Sequence, residues 1–552
     1  MSTQTIAVLD ESELKDGQLK EVPFGEGKVL LSRLGDTVHA TSAFCTHYGA
    51  PLAKGVLTAD GRVVCPWHGA CFNVCTGDIE DAPAPTALHS FKATIKDGKI
   101  HVSADPSKTK KENMSRPPKL LASGAETSEN PVVIVGGGSG AFHAVESLRE
   151  HGFKGPITIL SKETYAPIDR TKLSKALVTD PSKLEWRSAA DLKIKYGTIL
   201  RTGVEVTSVD FAKKSVVIGN GQESVSYGTL ILASGGTSRR LPIEGKDFSN
   251  VFTLRGINDA KQIDAAAQEG KRLVVIGSSF ISMELVVAVS KRKLASIDVI
   301  GMEEYPFEAV LGKEIGKGLK QFHESQGVKF HMQVKVEKIV PASDDPSKAG
   351  GVVVNGQILP ADLVVMGVGV APATEYLKAS GLPLERDGSV AVDEFLRVKG
   401  QQDVFAIGDI ATYPQIKTGE SRRIEHWNVA GNHGRAVGKT IAMPGEKQPF
   451  VKIPVFWSAQ GQQLRYCGVG AGFEDVIIKG DPGEMKFIAY YVKDNTIVAV
   501  ATMQNDPVVS KASELLRLGL MPSPQEVKDG KDLLSIDISS VAVKEKVANT
   551  VA

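Results

Sequence analysis

Cysteine is scarce: five in 552 residues. Four of them lie between Cys45 and Cys75, and after Cys75 only Cys467 remains. A disulfide-stapled extracellular scaffold is therefore excluded, and a reducing compartment is the natural reading. Charge of one sign is also lacking. The formal net charge is +1, with 65 basic and 64 acidic residues, and no basic stripe interrupts the mixture, so nucleic acid is not an expected partner. No uninterrupted apolar run approaches the roughly 20 residues that cross a bilayer, so no membrane span is expected. The first fifteen residues carry Asp10, Glu11 and Glu13 and have no long apolar stretch, unlike a secretory signal or an acid-poor transit peptide. A cytoplasmic protein is the default, with mitochondrial association left open.

The first hundred residues read as short strands separated by turns, including Lys28 to Ser32, Thr37 to Thr41, Arg62 to Val64 and a hairpin around Asp97-Gly98. Two loops in this stretch carry chemistry. The first is Cys45-Thr46-His47, the second Cys65-Pro66-Trp67-His68, and a glycine follows each histidine closely (Gly49, Gly69). A Cys/His pair at each of two tight turns can bind one iron through two thiolates (Cys45, Cys65) and a second through two imidazoles (His47, His68), as in a Rieske [2Fe-2S] centre. A structural zinc site also uses two cysteines and two histidines, but its usual spacing pairs Cys with Cys and His with His. Here the sequence resembles the Rieske ferredoxin family. High-potential members have a further cysteine in each loop, forming a bracing disulfide, whereas Ala50 and Trp67 stand in those places here. The resemblance therefore implies a potential near the low end of the roughly −150 to +300 mV span, which suits electrons drawn from NADH. Cys71 and Cys75 are expected to be structural. From Pro106 to about Asn130 the composition shifts to Lys, Ser, Pro and Glu, which reads as a linker that would let the cluster module dock or swing away.

At Pro131 a buried parallel-type strand, Val132-Val133-Ile134-Val135, runs into Gly136-Gly137-Gly138-Ser139-Gly140-Ala141 and a helical pattern. This is a dinucleotide fingerprint: Gly136 makes the turn, Gly138 lets backbone approach a pyrophosphate, and Ala141 keeps helix close to strand. The next strand ends near Glu163, placed to take ribose hydroxyls. A second fingerprint follows Arg272 to Ile276, where Gly277 survives but Ser279 and Ser282 replace the other two glycines; Glu284 lies on the following helix. Glu303 and Glu304 follow the next strand. With no Arg there to meet a 2′-phosphate, NADH is expected rather than NADPH.

One dinucleotide fold inserted into another is the plan of the FAD-dependent pyridine nucleotide oxidoreductases, and residues 131 to 552 resemble that family, nearest to ferredoxin reductases and apoptosis-inducing-factor-like proteins. The resemblance is carried by Tyr165-Ala166-Pro167-Ile168-Asp169-Arg170 with Leu173-Ser174-Lys175, by Ala233-Ser234-Gly235-Gly236, by Gly367-Val368-Gly369-Val370-Ala371-Pro372, by Phe405-Ala406-Ile407-Gly408-Asp409, by Glu425-His426-Trp427 and by Phe456-Trp457-Ser458. It implies that Arg170, Lys175, Val206, Ala233, Asp409, Glu425, His426, Trp427 and Trp457 contact or neighbour FAD. It also implies that Lys175 is the cation stabilising negative charge on the reduced ring. Disulfide reductases of this superfamily use two cysteines beside the flavin; with only Cys467 in this region, a dithiol relay is excluded.

The whole chain resembles the fused Rieske and reductase subgroup of apoptosis-inducing-factor-like proteins. The expected architecture is multidomain: an all-β Rieske domain (1–105), a linker (106–130), an α/β flavoprotein reductase with a discontinuous FAD-binding domain (131–251 and 373–443) and an NAD(P)H-binding domain (252–372), and an α+β C-terminal domain (444–552) where a homodimer would form. The expected activity passes electrons from NADH through FAD to the cluster and on to an unidentified acceptor. His47 and His68 are expected to face outward and offer the exit path. A redox-sensing protein with slow turnover, or a diaphorase without a dedicated acceptor, are the competing readings. The chain is expected to be poorly anchored from about Ser539.

Overall fold

The computed structural model describes residues 2–219, 221, 223–415 and 419–540. The first module is a six-stranded antiparallel sheet in the order Gln4–Asp10, Lys99–Ala104, Ser90–Lys96, Thr37–Ser42, Gly27–Leu34, Leu19–Phe24. Its alternating inward residues, among them Val22, Phe24, Val29, Leu31, Ile100 and Val102, close one core. A smaller sheet of Val56–Leu57, Arg62–Val64, Cys71–Asn73 and Ile79–Asp81 rises from it, and both Cys/His loops are set beside this sheet.

Two parallel sheets come next, as the continuous apolar runs require. The first has the order Thr198–Arg201, Ile157–Leu160, Val132–Val135, Thr229–Leu232, Val404–Ala406. The second has the order Val251–Phe252, Leu363–Met366, Arg272–Ile276, Ser296–Ile300, Val328–His331. Each central strand ends in a glycine at positive φ, Gly136 at +111° and Gly277 at +104°, before a helix begins. The helix Ser139–Glu150 packs on the long helix Trp427–Ala442 at backbone contact, since a Cβ on Gly434 would collide with the Gly140 carbonyl. That approach delivers Trp427 to the mouth of the first fingerprint. The chain closes with a five-stranded antiparallel sheet and the helix Val508–Leu518. Among the described residues no helix is long and apolar enough to cross a membrane.

The composition of the linker region suggests a mobile tether, yet it lies along the protein. Pro106–Thr109 and Lys111–Asn113 form 3-10 turns and Ser115–Arg116 pairs with Ala87–Leu88. Further on, the Leu121 N–H donates to Arg149 O at 2.9 Å and the Glu126 N–H to Lys154 O at 2.8 Å. Few apolar anchors are needed because backbone pairing, which composition does not reveal, holds the segment.

The first module is also seated in the rest of the chain. Val56, Val64 and Cys71 share one buried cluster with Val455, Cys467, Val500, Val508 and Val509 of the C-terminal sheet and helix. Around it run charged contacts: Lys452 and Arg62 both pair with Asp81, Arg62 reaches Glu514 at 3.5 Å, and Arg517 reaches Asp60 at 3.2 Å. The last described residues close over the seam. Ile538 is fully buried and its carbonyl accepts the Ala59 N–H at 2.8 Å. Of the stretch expected to be loose, Ser539 and Ser540 lie against Gly17, and residues 541–552 are outside the described residues.

Candidate redox centre

The Cys45 and Cys65 loops bring four side chains to one end of the small sheet. Cys45 and Cys65 are both buried and hydrogen-bond each other, and His47 Nδ1 stands 2.9 Å from His68 Nδ1. Backbone N–H groups of His47 and Tyr48 point at the Cys45 sulfur, and those of Trp67 and His68 at the Cys65 sulfur. Burial, then the neighbouring Cys65, pushes the Cys45 thiol well above its ordinary pKa. Burial works against Cys65 as well, but the Cys45 hydrogen bond, the two N–H groups and the charge of Arg465 outweigh it and leave that thiol below its ordinary value.

Among the described residues no three His, Cys, Asp or Glu side chains come close enough to hold a single metal ion. Two thiols in one pair and two imidazoles in another fit the two irons of a [2Fe-2S] cluster, sulfur on one and nitrogen on the other. They do not fit a single tetrahedral zinc.

The histidines point out of their module, but not to solvent. Burial and, behind it, the charges of His47, Arg465 and Lys175 hold His68 well below its ordinary pKa, and burial holds His47 at about 4. Trp457 covers them, its ring centroid 4.3 Å from that of His68 and 5.5 Å from that of His47. Trp186 adds a ring at 6.1 Å, and the Tyr48 hydroxyl donates to the buried Asp169 at 2.8 Å. Across the seam the Ser510 hydroxyl donates to Cys65 O at 2.8 Å and Asn428 to His68 O at 3.4 Å. The expected open exit at the imidazoles is thus corrected: this edge faces the dinucleotide-binding folds and the C-terminal sheet, and the partners that close it are more than a hundred residues away in sequence.

Behind Trp457 opens a cavity of about 1340 Å³, larger than the ~300–1,000 Å³ of ordinary small-ligand sites and lined from both dinucleotide folds. Of the expected residues, Gly136, Gly138, Glu163, Arg170, Lys175, Val206, Ala233, Ser279, Glu284, Asp409, Glu425, His426, Trp427 and Trp457 all line it. Ala141 and Gly277 do not; Ala141 is buried in the first helix, and Gly277 makes the second turn against Gly367. Glu303 lies outside the cavity and is exposed, because the chain turns away after the strand Ser296–Ile300.

Within the cavity, charges meet in pairs. Glu163 takes two hydrogen bonds from Arg170, both 2.8 Å, and a third from Tyr165 at 2.9 Å. Asp409 pairs with Arg255 at 2.8 Å. Glu284, 4% exposed, accepts from Lys175 at 3.0 Å, from Ser458 at 2.6 Å and from Ser174. The nitrogens His426 Nδ1, Trp427 Nε1 and Trp457 Nε1 are buried with no protein partner, which suits a wall built round a heterocyclic ligand. Burial lowers His426 to about 4 against the opposing pull of Asp409, so its imidazole is neutral at physiological pH. Phe280 and Phe456, edge to face at 5.0 Å, stand on the side of the second fold. Cys467 is fully buried with its thiol pushed up by burial, so no reactive thiol serves this cavity.

Sequence reasoning misses Trp186 and Arg255, and it finds Asp169, Ser174 and Ser458 only as members of motifs, without their partners: Tyr48 for Asp169 and Glu284 for both serines, each more than a hundred residues away.

Three family profiles match in chain order: Rieske [2Fe-2S] domain over residues 4–92, Pyridine nucleotide-disulphide oxidoreductase over residues 130–434, and Reductase C-terminal over residues 455–535. Apoptosis-inducing factor 3 of Homo sapiens is 37% identical over 529 residues, covering 95% of this chain and 85% of that protein. The benzene 1,2-dioxygenase system ferredoxin–NAD(+) reductase subunit of Pseudomonas putida is 28% identical over 410 residues, 72% of this chain and 95% of its own length. Among solved structures, the ferredoxin reductase for the CYP199A2 system of Rhodopseudomonas palustris superposes with a TM-score of 0.68 at 27% identity, covering 77% of this chain and all of that one.

Proposed function

Because this chain belongs to the pyridine nucleotide-disulphide oxidoreductase family and carries a Rieske [2Fe-2S] domain ahead of it, we propose that electrons from NADH reach the cluster of the same polypeptide through the flavin site. The protein is an FAD-dependent NAD(P)H oxidoreductase, with FAD and a [2Fe-2S] cluster as its cofactors and NADH as its reductant. The bound FAD supplies what the protein lacks, a group that accepts a hydride and releases electrons singly.

The chain's own residues do the rest. Cys45 and Cys65 hold one iron and His47 and His68 the other. Gly136 and Gly138 let backbone approach the pyrophosphate, and Glu163 and Asp409 face the sugar and phosphate region. Lys175, fixed by Glu284, is the cation that favours negative charge on the reduced ring. Ser279 seats the nicotinamide dinucleotide in the second fold. Trp457 carries the proposal: it lines the cavity on one side and lies 4.3 Å from the His68 ring on the other. With both groups bound it would stand between them and keep water from the gap.

The test is anaerobic mixing with NADH, monitored by absorption and EPR. Bleaching of the flavin accompanied by the reduced-cluster signal is expected, with Trp457→Leu slowing the second event more than the first. A flavin that bleaches beside a cluster that stays oxidised ends the proposal.

A second reading, a redox-responsive protein of slow turnover, draws on the sealed imidazole edge, which offers an external acceptor no direct approach. A change in shape or assembly driven by NADH alone would favour it; rapid reduction of one native acceptor would favour the first.

A further inference from the structure

The charges around the cluster ligands mostly cancel in pairs. Beside His47, Lys172 stands 3.8 Å from Asp169. Beside His68, Lys175 stands 3.0 Å from Glu284. Arg465 breaks the pattern. It lies directly across the strand pair from Trp457, whose ring centroid is 4.3 Å from that of His68, and outside the flavin cavity; its charge bears on Cys65 and His68, a ligand of each iron. Its side chain is 5% exposed, whereas that of its counter-ion Asp506, bound at 3.0 and 3.1 Å, is 33% exposed. Water therefore screens the negative charge more than the positive one. Arg465 Nη1 is buried with no hydrogen-bond partner, so part of the guanidinium charge has no local compensation.

Reduction of a [2Fe-2S] cluster adds one electron from its donor and requires no proton, making the cluster one unit more negative. A fixed cation in a poorly screened place favours that state. Arg465 belongs to the C-terminal sheet, not to the module that holds the iron, so its charge acts on the cluster only while the two are seated together.

We propose that Arg465 tunes the cluster from across the seam, raising its reduction potential in the docked protein so that electrons run from flavin to cluster when the module is seated. By thermodynamic linkage, reduction of the cluster tightens the seat by the same factor. Arg465 is thus a positioning residue for charge, not a contact of the reacting groups. The inference rests on the cluster reading above and goes beyond it, since neither ligand identity nor fold demands a cation from another domain.

The experiment is a mediated redox titration of the full-length holoprotein, read by the EPR amplitude of the reduced cluster. Arg465→Gln should lower the reduction equilibrium constant about tenfold, which for one electron is about 59 mV. Arg465→Lys, which keeps the charge, should stay within about threefold of wild type. Asp506→Asn should move the potential the opposite way, and it decides the matter alone if the Arg465 variants do not fold. Bleaching of the flavin by NADH should be unchanged in all of them. An unmoved potential in Arg465→Gln, or in Asp506→Asn when that is the variant at hand, overturns the proposal while leaving the cluster in place. Absence of a reduced-cluster signal from the wild type would instead overturn the cluster reading itself.

Discussion

Asp81 offers a quantitative handle on whether the cluster module is held against the reductase. Burial alone would raise its pKa, but the charges of Lys452 and Arg62 override burial and hold it at about 2, against an ordinary 3.8. That difference is worth about 2 kcal/mol. Because the folded pKa is depressed, this stability is present above pH ~4 and is lost as the pH falls through 2, so it is complete at neutral pH. Arg62 belongs to the same small sheet as Asp81, whereas Lys452 comes from the other side of the seam. Of the two charges Lys452 contributes the more. A double-mutant cycle with Asp81→Asn and Lys452→Met isolates the cross-seam share. The assay is chemical denaturation at pH 7, monitored by visible circular dichroism of the cluster. The single variants should each cost more than their share because each leaves a buried partner unpaired, and the coupling should be on the order of 1 kcal/mol. Additivity within about 0.3 kcal/mol would refute the docked arrangement.

Three further outcomes are expected. Lys175→Gln removes the cation that favours negative charge on the reduced ring and should slow NADH bleaching of the flavin by roughly tenfold or more in stopped flow. Gly136→Ala places a methyl group at φ +111° against the Ala233 carbonyl and should yield protein purified with little FAD, read from the flavin-to-protein absorbance ratio. Glu146 is raised to about 7 by burial, with Glu150 adding and Arg187 opposing. The folded state therefore binds the extra proton, and the stability of wild type relative to Glu146→Gln should fall as the pH rises from 5 to 8, by about 3 kcal/mol, measured from denaturation midpoints.

Local signals carry the fold far. The Cys/His loops, the strand-glycine-helix units and the residues lining the cavity can be read from sequence because each is a short segment whose chemistry demands particular residues in a fixed order. Ser279 stands where a glycine is usual and still lines the cavity, since small size is what the turn requires. How the modules meet is not legible in the same way. Resemblance places Trp457 beside the flavin, but nothing local announces that its other side covers His68. Arg465 looks like any strand arginine until its cross-strand neighbour is known. The linker's composition points to mobility because pairing of backbone groups, such as Leu121 N with Arg149 O, leaves no mark on side-chain identity. Glu303 stands near the usual place of an acid after the second strand, and the chain turns away before it arrives.

The decisive measurement is the concentration dependence of cluster reduction after anaerobic mixing with saturating NADH. If the electron travels within one molecule, past Trp457 to the His68 edge, the observed rate constant stays the same when protein concentration is raised tenfold. A rate constant that climbs in proportion to protein concentration would mean that clusters are reduced by other molecules, and the internal route would be wrong.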